Sequence, residues 1–199
     1  MTLQSKRKVI FFATSNINKF NEARNELAKY KISVGMLRVK TLEIQSENLE
    51  EVAKASAIEA YKKCGLPIIV EDAGLFVEAL NGFPGPYASY VHKTIGNGGL
   101  LRLMENLENR KAFFRSVIAY CSPDFTSPIC FVGEVEGEIV REERRGENKS
   151  GFGFDPIFKP LNSIKTFAEM SIAEKNMFSH RARALRKFAE WYKSFDKSR

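Results

Sequence analysis

The stretch KVIFFAT, residues 8–14, runs directly into SNINKFNEARNELAKY, residues 15–30. The first piece is a short run of β-branched and aromatic residues, which predicts a buried strand. The second begins with Asn16 and Asn18, whose side chains can accept from the unpaired N–H groups of a helix start, and predicts a helix to Tyr30. Working outward, the pattern repeats. Residues 32–39 predict a second strand. Asn48 caps a second helix with Glu51 closing a capping box, Leu49, Val52, Ala53, Ala57 and Ala60 form its apolar face, and Gly65 ends it. Residues 66–70 predict a third strand ending at Glu71-Asp72. The rhythm then changes: residues 74–80 read as a short extended segment closed by Asn81-Gly82, Phe83-Pro84-Gly85-Pro86 as a rigid loop, and residues 100–107 as helical. Residues 111–120 and 129–140 predict two long antiparallel strands, residues 141–150 an exposed loop, and residues 180–195 a C-terminal helix. Strand–helix alternation followed by a long strand pair implies an α/β protein with a mixed sheet.

The chain has 199 residues, 44% hydrophobic and 28% charged, with no linker, repeat or low-complexity stretch, so a single domain over residues 1–199 is expected. No apolar run approaches the roughly 20 residues of a membrane span, and residues 9–13 read as a strand rather than the core of a signal peptide. Three scattered cysteines and two histidines make neither a disulfide framework nor a zinc site. That points to a reducing, cytoplasmic compartment and to any metal being held by oxygen, as Mg²⁺ or Mn²⁺. The net charge of +7 comes from the ends: Lys6, Arg7 and Lys8 at one, and seven basic against two acidic residues over 181–199 at the other. The basic ends read as solvated termini and no ring of aromatics interleaved with arginines suggests a stacking platform, so no stable nucleic-acid partner is expected, although a basic nucleic-acid-binding module is the rival from another class.

Four segments can carry chemistry. Thr14-Ser15-Asn16-Ile17-Asn18-Lys19 ends a strand and opens a helix, where free N–H groups, the helix dipole and Lys19 suit a phosphate; the same residues serve equally as caps. Glu71-Asp72 lies where ligands bind in open α/β sheets and can hold Mg²⁺ or activate water, or it is an acidic loop start. Gly151-Phe152-Gly153-Phe154-Asp155-Pro156 has proline where a dinucleotide loop needs its third glycine. Its rings either stack on a base or plug the core. Ser179-His180-Arg181 opens the last helix, and on its own reads as a cap followed by two solvated side chains.

In this order the segments resemble the inosine triphosphate pyrophosphatase, or Ham1-like, family. The resemblance also rests on Gly82-Phe83-Pro84-Gly85-x-Tyr87, Thr166-Phe167-Ala168-Glu169-Met170 and Glu174-Lys175-Asn176, and so spans residues 14–181. It implies an elongated mixed α/β fold with two lobes around a central nucleotide-binding cleft, usually as a homodimer. The activity it implies is hydrolysis of the deaminated purine triphosphates ITP, dITP and XTP to monophosphate and pyrophosphate. The nearer rival is a Maf-like pyrophosphatase for modified pyrimidine nucleotides. By match to the motifs, Thr14, Ser15, Asn16 and Lys19 would hold the triphosphate. Asp72 would be the metal-linked general base, Glu43 a second Mg²⁺ ligand, and Phe152, Gly153, Phe154, Asp155, Lys175, His180 and Arg181 the frame for base and sugar. Ala73 stands where many members carry serine, leaving its backbone N–H as the contact. Ser56 stands where many carry a lysine, with Lys175 as a candidate replacement cation.

Overall fold

The computed structural model describes residues 9–41, 44–147 and 151–197. Strand β1 (Val9–Ala13) lies between β2 (Ser33–Leu37) and β3 (Ile68–Val77), parallel to both. The crossovers are α1 (Ile17–Ala28) and α2 (Leu49–Cys64). Because successive strand residues face opposite ways, β1 feeds two cores at once. Ile10 and Phe12 pack with Ala23 and Leu27 of α1 and with Leu185 and Phe188 of the last helix, α6 (His180–Lys197). Phe11 and Ala13 pack on the other face, with Ala53, Ala57 and Ala60 of α2. Asn16 caps α1, its Oδ1 accepting from the N–H groups of Asn18 and Lys19 at 2.9 and 3.2 Å. Gly65 ends α2 at φ +65°, the left-handed conformation that favours glycine.

Beyond β1 the sheet becomes antiparallel. β3 pairs with β5 (Lys111–Cys121), β5 with β6 (Ile129–Ile139), and β6 with the short β7 (Phe158–Pro160). A two-residue strand, β4 (Pro84–Gly85), pairs with Leu75 and Phe76 on the other edge of β3. Gly74 makes that approach possible, since a Cβ there would come 2.6 Å from the Gly85 carbonyl oxygen. Helices α3 (Ala88–Thr94) and α4 (Gly96–Leu103) cover this end, where Leu75, Val91, Leu100, Phe114, Phe158 and Phe167 form a further core. A short helix α5 (Ile172–Phe178) leads into α6. The seven-stranded mixed sheet thus joins a two-sided α/β lobe to a second lobe, and no helix of the described residues is long and apolar enough to cross a membrane.

Several sequence expectations need correction. The third strand does not stop at Glu71-Asp72 but runs on to Val77, because β5 pairs with it over its whole length. The helix expected at residues 100–107 lies at Gly96–Leu103, preceded by α3, and α5 was not foreseen. Both α3 and α5 are single seven-residue stretches, too short to show a period. The capping box on α2 does not form: Asn48 accepts from the Glu50 N–H, but Glu51 accepts from the Ser46 hydroxyl at 2.8 Å.

Candidate active site

β1 ends at Ala13, opposite Val70, and β4 begins to pair only at Leu75. Between them residues 71–74 of β3 have a strand neighbour on the β5 side alone, and a cavity of about 770 Å³ wraps this open edge. That volume falls in the usual range for ligand sites. Three of the predicted segments meet on its wall: Thr14, Ser15, Asn16 and Lys19; Asp72 and Ala73; and Phe152, Gly153, Phe154 and Asp155, with His180 and Arg181 behind them. Val52 and Ser56 of α2 line the side that Asp72 faces, and Ser89, His92 and Lys93 of α3 line the wall from the second lobe. Glu43 lies outside the described residues.

Glu71 and Asp72 face opposite sides of β3. Glu71 shares the face of Ile69 and is buried; Lys19 Nζ lies 2.7 Å from its Oε2, while Ser116 Oγ and Arg181 Nε donate to Oε1 at 2.7 and 3.0 Å. Arg181 Nη1 also donates to Glu22 Oε2 at 2.5 Å. Lys175 Nζ bonds Glu22 Oε1 and Asp155 Oδ2, both at 2.7 Å, and that Asp155 oxygen accepts the Phe152 N–H at 2.8 Å. Three cations and three carboxylates therefore alternate along one chain, from Lys19 to Asp155. Burial would raise the carboxyls of Glu71 and Glu22, but the cations beside them hold both below the usual carboxylate range. Burial would likewise lower Lys175, yet Asp155 and Glu22 hold it above its ordinary value.

His180 is set differently. It is buried, with its ring stacked on Phe114 at 4.6 Å and 12°, and its Nδ1 has no hydrogen-bond partner among the described residues. Burial, then the charge of Arg181, pushes its pKa well below 6.5, so the imidazole is neutral. His180 and Arg181 are thus not solvated, although Ser179 does cap α6, its Oγ accepting from the Ala182 N–H at 3.1 Å. The two phenylalanines differ in burial. Phe154 is a core plug, buried in the second lobe, whereas Phe152 is half-buried with Lys175 Nζ 4.6 Å and Arg181 Cζ 5.4 Å from its ring centre.

Lys175 does not line the cavity. Its ammonium is buried between Glu22 and Asp155, the latter on the cavity wall, whereas Ser56 itself lines the cavity from α2. Other motif residues are architectural: Thr166 with Glu169, and Ser171 with Glu174, close capping boxes. Sequence reasoning missed Glu22, Ser116 and the α3 wall. A signal for the first existed, since Glu22 and Glu26, four apart, interrupt the buried face made by Phe20, Ala23 and Leu27. Ser116 carried none, since nothing in β5 marks it off from its polar neighbour Arg115.

The donors fit a hard divalent cation: Asp72 is a half-buried carboxylate on the cavity wall, on the face away from the Glu71 ion pairs. Mg²⁺ commonly takes one or two carboxylates and completes its shell with water and substrate phosphate. Among the described residues no group of three or more His, Cys, Asp or Glu side chains gathers, so protein groups would not cage the ion alone.

The Ham1 family model matches residues 10–191. The chain is 52% identical over 185 residues to a dITP/XTP pyrophosphatase of Methanopyrus kandleri, covering 93% of this chain and 96% of that protein. It is 48% identical over 182 residues to a protein of the same name from Thermococcus kodakarensis, covering 92% and 96%. Among solved structures, a HAM1 protein from Coxiella burnetii superposes with a TM-score of 0.81 at 31% identity, over 94% of this chain and 98% of that one. The Staphylococcus aureus Ham1 protein gives 0.78 at 30%, over 94% and 99%. With the family model spanning both lobes and every segment of the cavity wall described above, the chain belongs to the Ham1 family.

Proposed function

We infer that the protein hydrolyses deaminated purine nucleoside triphosphates (ITP, dITP and XTP) to the monophosphate and pyrophosphate. One observation carries this reading: a helix start suited to phosphate, a carboxylate suited to a metal, and a buried His–Arg pair suited to a purine edge all converge on one cavity. The relatives named dITP/XTP pyrophosphatase support it at full length.

The roles follow from the chemistry of each wall. The triphosphate lies over Thr14, Ser15 and Asn16, with the positive end of α1 and Lys19 offsetting its charge. Asp72, with Glu43, would hold Mg²⁺ (Mn²⁺ as substitute), which when bound neutralises phosphate charge and acidifies a water. Asp72 orients that water toward the α-phosphorus and accepts its proton, while the Ala73 N–H is a backbone contact at the open edge. Lys19 balances the charge that grows on the leaving pyrophosphate. Phe152 stacks on the base, and Gly153 lets the loop approach it closely. Glu71 and Glu22 each take one of the five N–H donors of Arg181, fixing its plane and leaving donors over for O6 of hypoxanthine or xanthine. Asp155 and Lys175 act behind the wall, holding the Phe152 loop and the far end of the charge chain. Adenine would turn an amino group toward these donors, a mismatch that can cost a factor of about 10⁴ in kcat/KM.

We also propose that the chain works as one domain and a homodimer in the cytoplasm. The free cysteines and the exposed Phe83, Tyr87 and Tyr90 of the β4–α3 segment support that reading. The deciding experiment is an assay of purified protein and Mg²⁺ with ITP, XTP, ATP, GTP and modified pyrimidine triphosphates. Pyrophosphate release confined to ITP and XTP, abolished by EDTA, is expected. Orthophosphate release, a pyrimidine preference or activity in EDTA would refute the assignment.

A further inference from the structure

Four lysine or arginine side chains among the described residues line the cavity: Lys19, Lys40, Lys93 and Arg181. Lys19 and Arg181 are already balanced by Glu71 and Glu22. Lys40 lies next to the residues that are not described. Lys93 is different: it is exposed, it comes from the second lobe, and no ion pair among the described residues uses it. A triphosphate brings about four negative charges, more than Lys19, which shares its own charge with Glu71, can answer alone.

The placement of Lys93 is built rather than accidental. β4 docks on β3 at Leu75, at the opposite end of the open edge from Thr14, and leads into α3 within three residues. Ala88 and Val91 anchor α3 in the core of the second lobe, and His92 meets the Phe154 ring edge-on at 5.3 Å and 87°. With that side held, Ser89 and Lys93, four residues apart, lie on one helical face, and both line the cavity. A hydroxyl and an unpaired ammonium at that spacing match two neighbouring phosphate oxygens.

We propose that Ser89 and Lys93 form a second polyphosphate-binding element, supplied by the second lobe across the open edge from Lys19. It rests on the nucleoside triphosphate reading above. Each lobe then contributes one lysine to the phosphate tail.

The test uses inorganic tripolyphosphate and IMP as probes, titrated calorimetrically with Mg²⁺ into wild type, Lys93→Ala and Lys93→Arg. Loss of a charge-assisted contact should weaken tripolyphosphate about tenfold in Lys93→Ala, with IMP within about twofold and Lys93→Arg close to wild type. The thermal midpoint should not move, because the side chain is exposed. Tripolyphosphate affinity that survives Lys93→Ala, an equal loss for IMP, or no wild-type binding of tripolyphosphate overturns the proposal. Failure of the nucleotide reading would appear separately, as wild-type protein that releases no pyrophosphate from ITP.

Discussion

On one face of β3 the Glu71 carboxylate is sealed between Lys19, Arg181 and Ser116; on the other, one residue later, Asp72 borders the open cavity on the α2 side. The two groups are chemically alike and adjacent in the chain. Strand alternation sends them to different media. The Glu71 face has closed its charges on each other, which costs solvation and repays it only while every partner remains. What that face obtains is orientation, since Arg181 is held by two carboxylates before any ligand arrives. The Asp72 face instead sets a half-buried carboxylate on the wall of the cavity.

Three measurements press on this contrast. The largest effect is expected from Arg181→Ala, which strands Glu22 and Glu71 without their shared cation. Breaking a buried pair from one side costs about 3–5 kcal/mol, read as a fall in chemical-denaturation stability. Unchanged stability would mean that the charge chain is not a frame. Asp72→Asn should do the reverse, leaving stability within about 0.5 kcal/mol while kcat for ITP falls by roughly 10²-fold or more. Wild-type turnover at saturating Mg²⁺ would remove Asp72 from the reaction.

The smallest effect is a pH dependence on the frame side. His180 has its folded pKa pushed well below 6.5, so below that pH the unfolded chain takes up a proton that the folded chain refuses. Its contribution is fully present above about pH 6.5 and is lost as the pH falls, with a slope approaching about 1.4 kcal/mol per pH unit. Glu71 and Glu22, whose folded pKa values are also depressed, add a second loss only below about pH 4.5. His180→Asn should flatten the first phase and leave the second. A first phase that persists in the variant would place the titrating group elsewhere.

Much of the α/β lobe was legible in the sequence. β1 and α1 announce themselves because a buried strand is continuously apolar and Asn16 marks the helix start, and Asn48 and Gly65 bracket α2 for similar local reasons. The second lobe was less so. Whether β3 stops at Asp72 or continues depends on β5, 35 to 43 residues away along the chain, and α3 and α5 are too short to carry a period. Recognition of the motifs pointed to residues that line the cavity but could not separate them from those buried behind it. Lys175 belongs to the same run of motif residues as Glu174 and Asn176, yet its ammonium is spent inside the protein.

The amino-acid sequence by itself determined the strand–helix order, the caps and the kinship, because each is written in neighbouring residues or in their order. Tertiary structure alone decided which of two adjacent carboxylates is sealed among cations, which lysines along the cavity wall carry an ion pair, and that α3 forms its far wall. Those outcomes depend on charges brought together from α1, β3, α5 and α6 and on the Ser116 hydroxyl of β5, and electrostatic pairing at 2.5–3.0 Å has no local trace in the chain.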